Sequence, residues 1–259
     1  MRTEVNRPQR ALVRPPGDSF AQALSEHPER DTIDPERARA QHEAYREALR
    51  RLGLEVTTLP ADEELPDSCF VQDLAIVLNG RALLCRPGAP SRQPEASVFE
   101  PDLRRVVPST DRVRAPATIE GGDVIRVDDR FIAGRSDRTN DEGIAALERF
   151  AAPDARVVRA EVREPFLHLL SGLSVAGDAV VGSEALIDQA AFDGLDRVSA
   201  PEEEAAGCNF VTVGNDVLMA AGYGRVRSLV EAAGFRVHEV DLSEFTKADG
   251  GPTCLSLLV

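Results

Sequence analysis

The chain repeats itself. An apolar run, a short polar turn and a second apolar run recur over Asp73–Cys85, Asp123–Ala133, Leu173–Val181 and Phe210–Ala220. The turns fall at Asn79-Gly80, Asp128-Asp129, Gly177-Asp178 and Gly214-Asn215, with Asn79-Gly80 the strongest hairpin signal. Helical segments are expected at Pro35–Leu52, Asn140–Phe150 and Arg225–Ala233, where apolar residues return at helical spacing. Asn140 can cap one of these, and Gly53 and Gly234 suit the ends of the other two. Each helix leads into a β-rich segment: Leu54–Leu59, Arg156–Arg159, Asp196–Ser199 or Phe235–Val240, with Arg105–Val107 the expected equivalent after the first hairpin. These are four ββαβ-like units at a spacing of roughly 40–50 residues, the range of propellers and arrays. Strand material at Ala11–Arg14 and Leu255–Val259 is left over, and its pairing would close a fifth unit. The expected fold is therefore α/β: a five-bladed ββαβ propeller, closed by its N- and C-terminal strands, in a single domain over residues 1–259. The alternative is an open α/β sheet with strands of mixed direction. Hairpins between helices fit a doubly wound parallel sheet poorly.

Charge narrows the partners. There are 44 acidic and 30 basic residues, so the formal charge is 30 − 44 = −14. That balance argues against nucleic-acid backbones, and it permits a cationic small-molecule substrate, whose local concentration a negative field raises. Lys247 is the sole lysine, so the positive charge is almost all arginine. Cys69, Cys85, Cys208 and Cys254 form no C-x-x-C pair, and free thiols fit a reducing, cytoplasmic compartment. The opening residues carry no apolar signal-peptide core, and no stretch approaches the roughly 18 apolar residues of a membrane span, so neither is expected.

In a ring of repeats, residues at the strand borders point toward the centre. Four borders each offer one titratable group: Asp73, Glu120, His168 and Cys254. Each also has an ordinary explanation. A lone cysteine near a strand is usually a small buried hydrophobe; His168, between leucines, could be a core residue; the carboxylates could merely solvate strand ends. Their coincidence at equivalent places argues for chemistry. Gly121-Gly122 beside Glu120 allows close backbone approach. A thiol wants a positive neighbour to become thiolate. Two carboxylates in one pocket want a cation, and a guanidinium offers them five planar N–H donors. The set reads as nucleophilic attack on a guanidinium carbon.

Longer stretches carry a resemblance. Leu59–Asp73, Arg86–Arg92, Glu120–Val124, Arg138–Asn140, Leu167–Leu169 and Asp249–Cys254 are similar, in order, to segments of the dimethylarginine dimethylaminohydrolases. The E-G-G-D and terminal cysteine patterns also occur in the wider pentein-like, guanidino-modifying and amidinotransferase superfamily. The resemblance implies a five-bladed propeller, Cys254 as nucleophile, His168 as general acid and base, and Asp73 and Glu120 as guanidinium holders. It also implies that Arg92 and Arg138 hold the substrate's α-carboxylate. Asp67 and the Ala248 main chain would contact its other polar ends, and Leu24 would be a lid residue. Gln72 stands where many members carry an acid, which bears on polarity beside the substrate. The implied reaction is hydrolysis of an Nω-methylated arginine to citrulline and a methylamine, with no metal or organic cofactor. Deimination of arginine or agmatine, amidino transfer and a silent arginine-binding propeller remain the alternatives, and a homodimer is compatible with all of them.

Overall fold

The repeats become five three-stranded sheets in a computed structural model of the chain, which describes residues 8–127 and 129–259. Strand β1 (Arg10–Val13) leads through helix α1 (Pro35–Arg51) to β2 (Glu55–Thr58). The first hairpin unit is β3 (Ala75–Leu78), β4 (Arg81–Leu84), α2 (Gln93–Val106) and β5 (Ser109–Arg112). The second is β6 (Val124–Val127), β7 (Arg130–Arg135), α3 (Asp141–Ala151) and β8 (Arg156–Glu161). The third is β9 (Leu173–Ala176), β10 (Ala179–Ser183), α4 (Glu184–Ile187) and β11 (Asp196–Ala200). The fourth is β12 (Phe210–Val213), β13 (Asp216–Ala220), α5 (Gly224–Ala232) and β14 (Arg236–Val240), after which come α6 (Ser243–Thr246) and β15 (Leu257–Leu258). In every hairpin unit the first two strands are antiparallel, and the third returns parallel to the second.

The terminal strands pair as expected. β1 lies between β15 and β2, with Ala11 opposite Leu258 and Leu12 opposite Leu257. This sheet is packed onto the first hairpin unit by a shared core of Leu12, Leu59, Leu74, Phe99, Leu103 and Leu257.

Local chemistry explains the elements. The Asn79-Gly80 turn has φ 49° and 74°, the left-handed pair that a two-residue hairpin needs. Asp34 caps α1 by accepting from the Glu36 and Arg37 amides, and Asn140 caps α3 by accepting from Gly143 N. Asp128, half of the expected second turn, lies outside the described residues, as do Met1–Arg7.

The first hairpin unit departs from expectation. Gln93–Val106 is helical, with Pro94 in its first turn where an amide is dispensable, and Pro101 inside it. Arg105 and Val106 complete that helix, and the strand comes later, at Ser109–Arg112. That strand buries only Thr110, so no apolar alternation announces it.

Short helical turns precede the first strand of each hairpin and β15: 71–74, 121–123, 169–171, 202–208 and 252–255. Each of the first three touches the next, and turn 252–255 packs against turn 71–74 and β12. The five borders therefore meet around one place. Among the described residues, no helix is long and apolar enough to cross a membrane.

Candidate active site

Equivalent borders deliver the four expected groups. Asp73 sits in turn 71–74; Glu120 and His168 immediately precede turns 121–123 and 169–171; Cys254 lies in turn 252–255. Ligand atoms of Asp73, Glu120 and His168 fall within 4.8 Å of one another, all three residues buried. One cleft is lined by Asp73, His168 and Cys254 together with Leu24, Asp67, Arg92, Arg138 and Ala248.

The glycines make this approach possible. A Cβ on Gly122 would sit 2.8 Å from both Asp73 Oδ1 and His168 Cγ, and one on Gly121 would sit 2.1 Å from the Gln72 carbonyl oxygen. Gly122 N instead donates to Asp73 Oδ1 at 3.0 Å.

Glu120 Oε2 lies 2.7 Å from His168 Nε2, and Glu120 Oε1 accepts from Gly88 N at 2.9 Å. Burial opposes charge on the imidazole, but Asp123, Asp73 and Glu120 outweigh it and raise His168 to about 9. Burial likewise opposes ionisation of Glu120, yet the bond to His168 and the nearby arginines hold it at about 2. The pair is an imidazolium–carboxylate. Burial and the Asp73 charge push the Cys254 thiol up from its ordinary value, so the free site holds a neutral thiol.

Arg92 and Arg138 differ. Arg138 lines the cleft with its side chain 20% exposed, its guanidinium 4.0 Å from Glu120. Arg92 is 5% exposed and already engaged: Nε and Nη2 donate to Glu95, and Nη1 donates to Asp73 Oδ2 at 2.7 Å. Both arginines expected to hold the substrate's α-carboxylate thus line the cleft, Arg92 with most of its donors taken. Gln72 does not line the cleft. Its Nε2 lies on the side of Gly121, and its Oε1 is buried without a hydrogen-bond partner among the described residues.

Leu24, 41% exposed, lines the cleft, its amide donating to Asp67 Oδ1 at 3.1 Å. Ser25 Oγ ties the same segment to the Lys247 carbonyl and Asp249 Oδ2. Burial raises the Asp67 carboxyl above its usual range. Cys69, Cys85 and Cys208 are buried and free, as expected of small apolar residues.

Three polar residues were missed. Asn209 stands at the remaining border, before β12; its Oδ1 accepts from Thr253 N and Oγ1, and its Nδ2 lies 3.8 Å from Cys254 Sγ. The repeat register pointed to that position. Asp123, fully buried and bonded to Ser136 Oγ at 2.6 Å, supplies charge to His168 and lies within the E-G-G-D run. Glu95, 1% exposed, had no signal beyond being an acid on an amphipathic stretch; burial pushes its carboxyl up to about 7 against the pull of Arg92.

Two buried carboxylates beside an imidazolium could hold a metal ion or an organic cation. A planar guanidinium suits them, since it can donate to both carboxylates while presenting its carbon to the thiol.

Known proteins resemble the chain over most of its length. A family model described as N,N dimethylarginine dimethylhydrolase, eukaryotic, matches residues 10–180. The N(G),N(G)-dimethylarginine dimethylaminohydrolase of Pseudomonas aeruginosa is 37% identical over 92% of this chain and 99% of its own. A cysteine-to-serine variant of the Pseudomonas aeruginosa enzyme, crystallised with citrulline, superposes with a TM-score of 0.91 at 32% identity, covering 98% of this chain and 100% of that one. A histidine-to-glycine variant of a dimethylarginine dimethylaminohydrolase, as an adduct with S-methyl-L-thiocitrulline, gives a TM-score of 0.89 at 34% identity over 97% of this chain and 100% of that one.

Proposed function

The chain belongs to the dimethylarginine dimethylaminohydrolase family, and from that premise we propose that it hydrolyses Nω-methylated arginine to citrulline and a methylamine through Cys254. The observation that carries this reading is the convergence of Asp73, Glu120 and His168 in one buried group at the cleft that Cys254 lines. In this reading the five sheets are the blades of one closed propeller in a single domain, and the cleft is its centre. The free thiols suit a reducing cytoplasm.

The substrate guanidinium lies against Asp73 and Glu120. Its positive charge offsets the Asp73 field that keeps the thiol protonated, so the thiol gives its proton to solvent when the substrate is in place. Sγ attacks the guanidinium carbon, and the imidazolium of His168 gives its proton to the departing methylamine, leaving a thiouronium on Cys254. Neutral His168 then takes a proton from water as the oxygen attacks the same carbon. The C–S bond breaks, the hydroxyl proton of the collapsing intermediate passes to Sγ as citrulline leaves, and the neutral thiol and imidazolium are restored. Arg138 holds the α-carboxylate, Asp67 and the Ala248 main chain hold the amino end, and Leu24 excludes water.

Amine release from dimethylarginine, free arginine and agmatine tests this. Dimethylarginine should lead and agmatine should trail it by about 10²-fold or more in kcat/KM, because a ligand without a carboxylate leaves Arg138 unpaired. Efficient agmatine turnover would sink the assignment of Arg138 and place the protein among deiminases of decarboxylated arginine. Binding without any turnover would make it a silent arginine-binding propeller.

A further inference from the structure

Arg92 is a hazard inside a cation site. Its guanidinium is buried among acids, with Nη1 on Asp73 Oδ2 at 2.7 Å and 3.8 Å from Glu120 Oε2. These are the two carboxylates that the substrate cation needs. An arginine free to rotate would lay its whole fork across them, because a guanidinium donates from two edges.

The Glu95 carboxylate takes the other edge of the fork, Nε at 3.1 Å and Nη2 at 2.9 Å. The two residues stand three apart across the start of α2, Arg92 at the cap and Glu95 in the first turn, so one helical turn fixes their relation. The Nη2 group is also 3.5 Å from the Asp67 and Phe70 carbonyl oxygens, and the Phe70 ring centroid lies 5.9 Å from the guanidinium carbon. Only Nη1 is left for the cleft. Glu95 itself does not line that cleft.

We propose that Glu95 is a positioning residue for cation recognition: by holding the Nε/Nη2 edge of Arg92 it keeps that arginine to a single bond with Asp73 and neutralises its charge, so the Asp73–Glu120 pair stays open to a substrate guanidinium. This rests on the reading of the cleft as a methylarginine site.

The discriminating measurement compares a cationic ligand with a neutral one of the same shape. Dimethylarginine carries a guanidinium where citrulline carries an uncharged ureido group, and both have the same amino-acid end. In a Cys254→Ser background, assayed above the titration of the Glu95 carboxyl, Glu95→Gln should weaken dimethylarginine binding by about tenfold or more. Citrulline binding should change by less than about threefold, because no cation is displaced from it. With Cys254 present, the same substitution should raise KM while leaving kcat within about threefold. Glu95→Asp keeps the charge on a shorter arm, so it should restore part of the contrast; if Glu95→Gln does not fold, Glu95→Asp must itself shift the dimethylarginine-to-citrulline affinity ratio a few-fold in the same direction. A folded Glu95→Gln protein that binds both ligands as before, or loses both equally, overturns the proposal, since a merely structural acid would move them together. Failure of the function itself looks different: unsubstituted protein would neither bind nor turn over dimethylarginine, and the role of Glu95 would fall with it.

Discussion

His168 is where the electrostatics of this site can be measured. Its ordinary value of 6.5 is raised to about 9 in the folded chain, so its charge stabilises the fold fully below about 6.5, and this contribution is lost as pH rises through about 9. Glu120 runs the other way. Held at about 2 against 4.5, it contributes above about 4.5 and loses that contribution as pH falls through about 2. The pair therefore supports the fold best between about 4.5 and 6.5. The melting-temperature gap between the unsubstituted protein and His168→Ala should shrink steadily from pH 6.5 to above 9. A gap that ignores pH would mean that His168 is neutral at rest. The same variant should lose about 10²–10⁴-fold in kcat for each proton-transfer role removed. Cys254→Ser should melt as the parent does and turn over essentially nothing, because a hydroxyl at its free pKa is a poor nucleophile. More than about one per cent of residual activity would end the covalent mechanism.

The working element is the short turn before a strand, and its geometry depends on what is absent from Gly122. A methyl there would press on Asp73 and on the His168 ring at 2.8 Å, and neither can retreat freely: Asp73 is held by Arg92, and His168 by Glu120. Gly122→Ala should therefore cost about 10²-fold or more in kcat/KM for about 1–3 kcal/mol of stability. A variant with parental kinetics would mean that Asp73 or His168 need not stay where it is. These turns were the legible part of the chain, because apolar runs around Asn79-Gly80 and its counterparts fix a register that points to Asp73, Glu120, His168 and Cys254. The same register also covers Asn209, which was missed because an amide beside a strand carries no chemistry until its contact with Cys254 is seen. Helix α2 was illegible for a different reason. Pro94 and Pro101 punctuate it, its last turn ends in a β-branched Val106, and the strand after it is polar, so propensity argued for loop and strand where packing of Phe99 and Leu103 makes a helix. Glu95 was lost with that helix.

At the scale of the molecule, the first and last strands hold Cys254 in place. Val259 N donates to the Arg10 carbonyl at 2.8 Å, and the Gln9 and Arg10 amides both donate to the Val259 carbonyl, closing β15 onto β1 just beyond Cys254. From the other side the buried Tyr45 hydroxyl of α1 lies 2.8 Å from both the Pro252 carbonyl oxygen and Ser256 Oγ. The cysteine turn thus hangs between the N-terminal strand and the first helix, and its distance from Asp73 depends on a contact between residues more than 240 positions apart. Ending the chain at Ser256 removes Leu257, which is 4% exposed and packs with Leu12 and Leu74, so about 2–5 kcal/mol of stability should go with that side chain. β1 would keep its parallel partner β2, and the four hairpin units would keep all of theirs. The truncated chain should therefore retain its secondary structure by circular dichroism and melt lower. It should lose far more activity than stability, with kcat down about 10²-fold as Cys254 drifts from its partners. A truncated enzyme that melts lower but keeps the parental kcat would show that the turn at Cys254 is held by Asn209 and Tyr45 alone, with the pairing of the terminal strands serving only the fold.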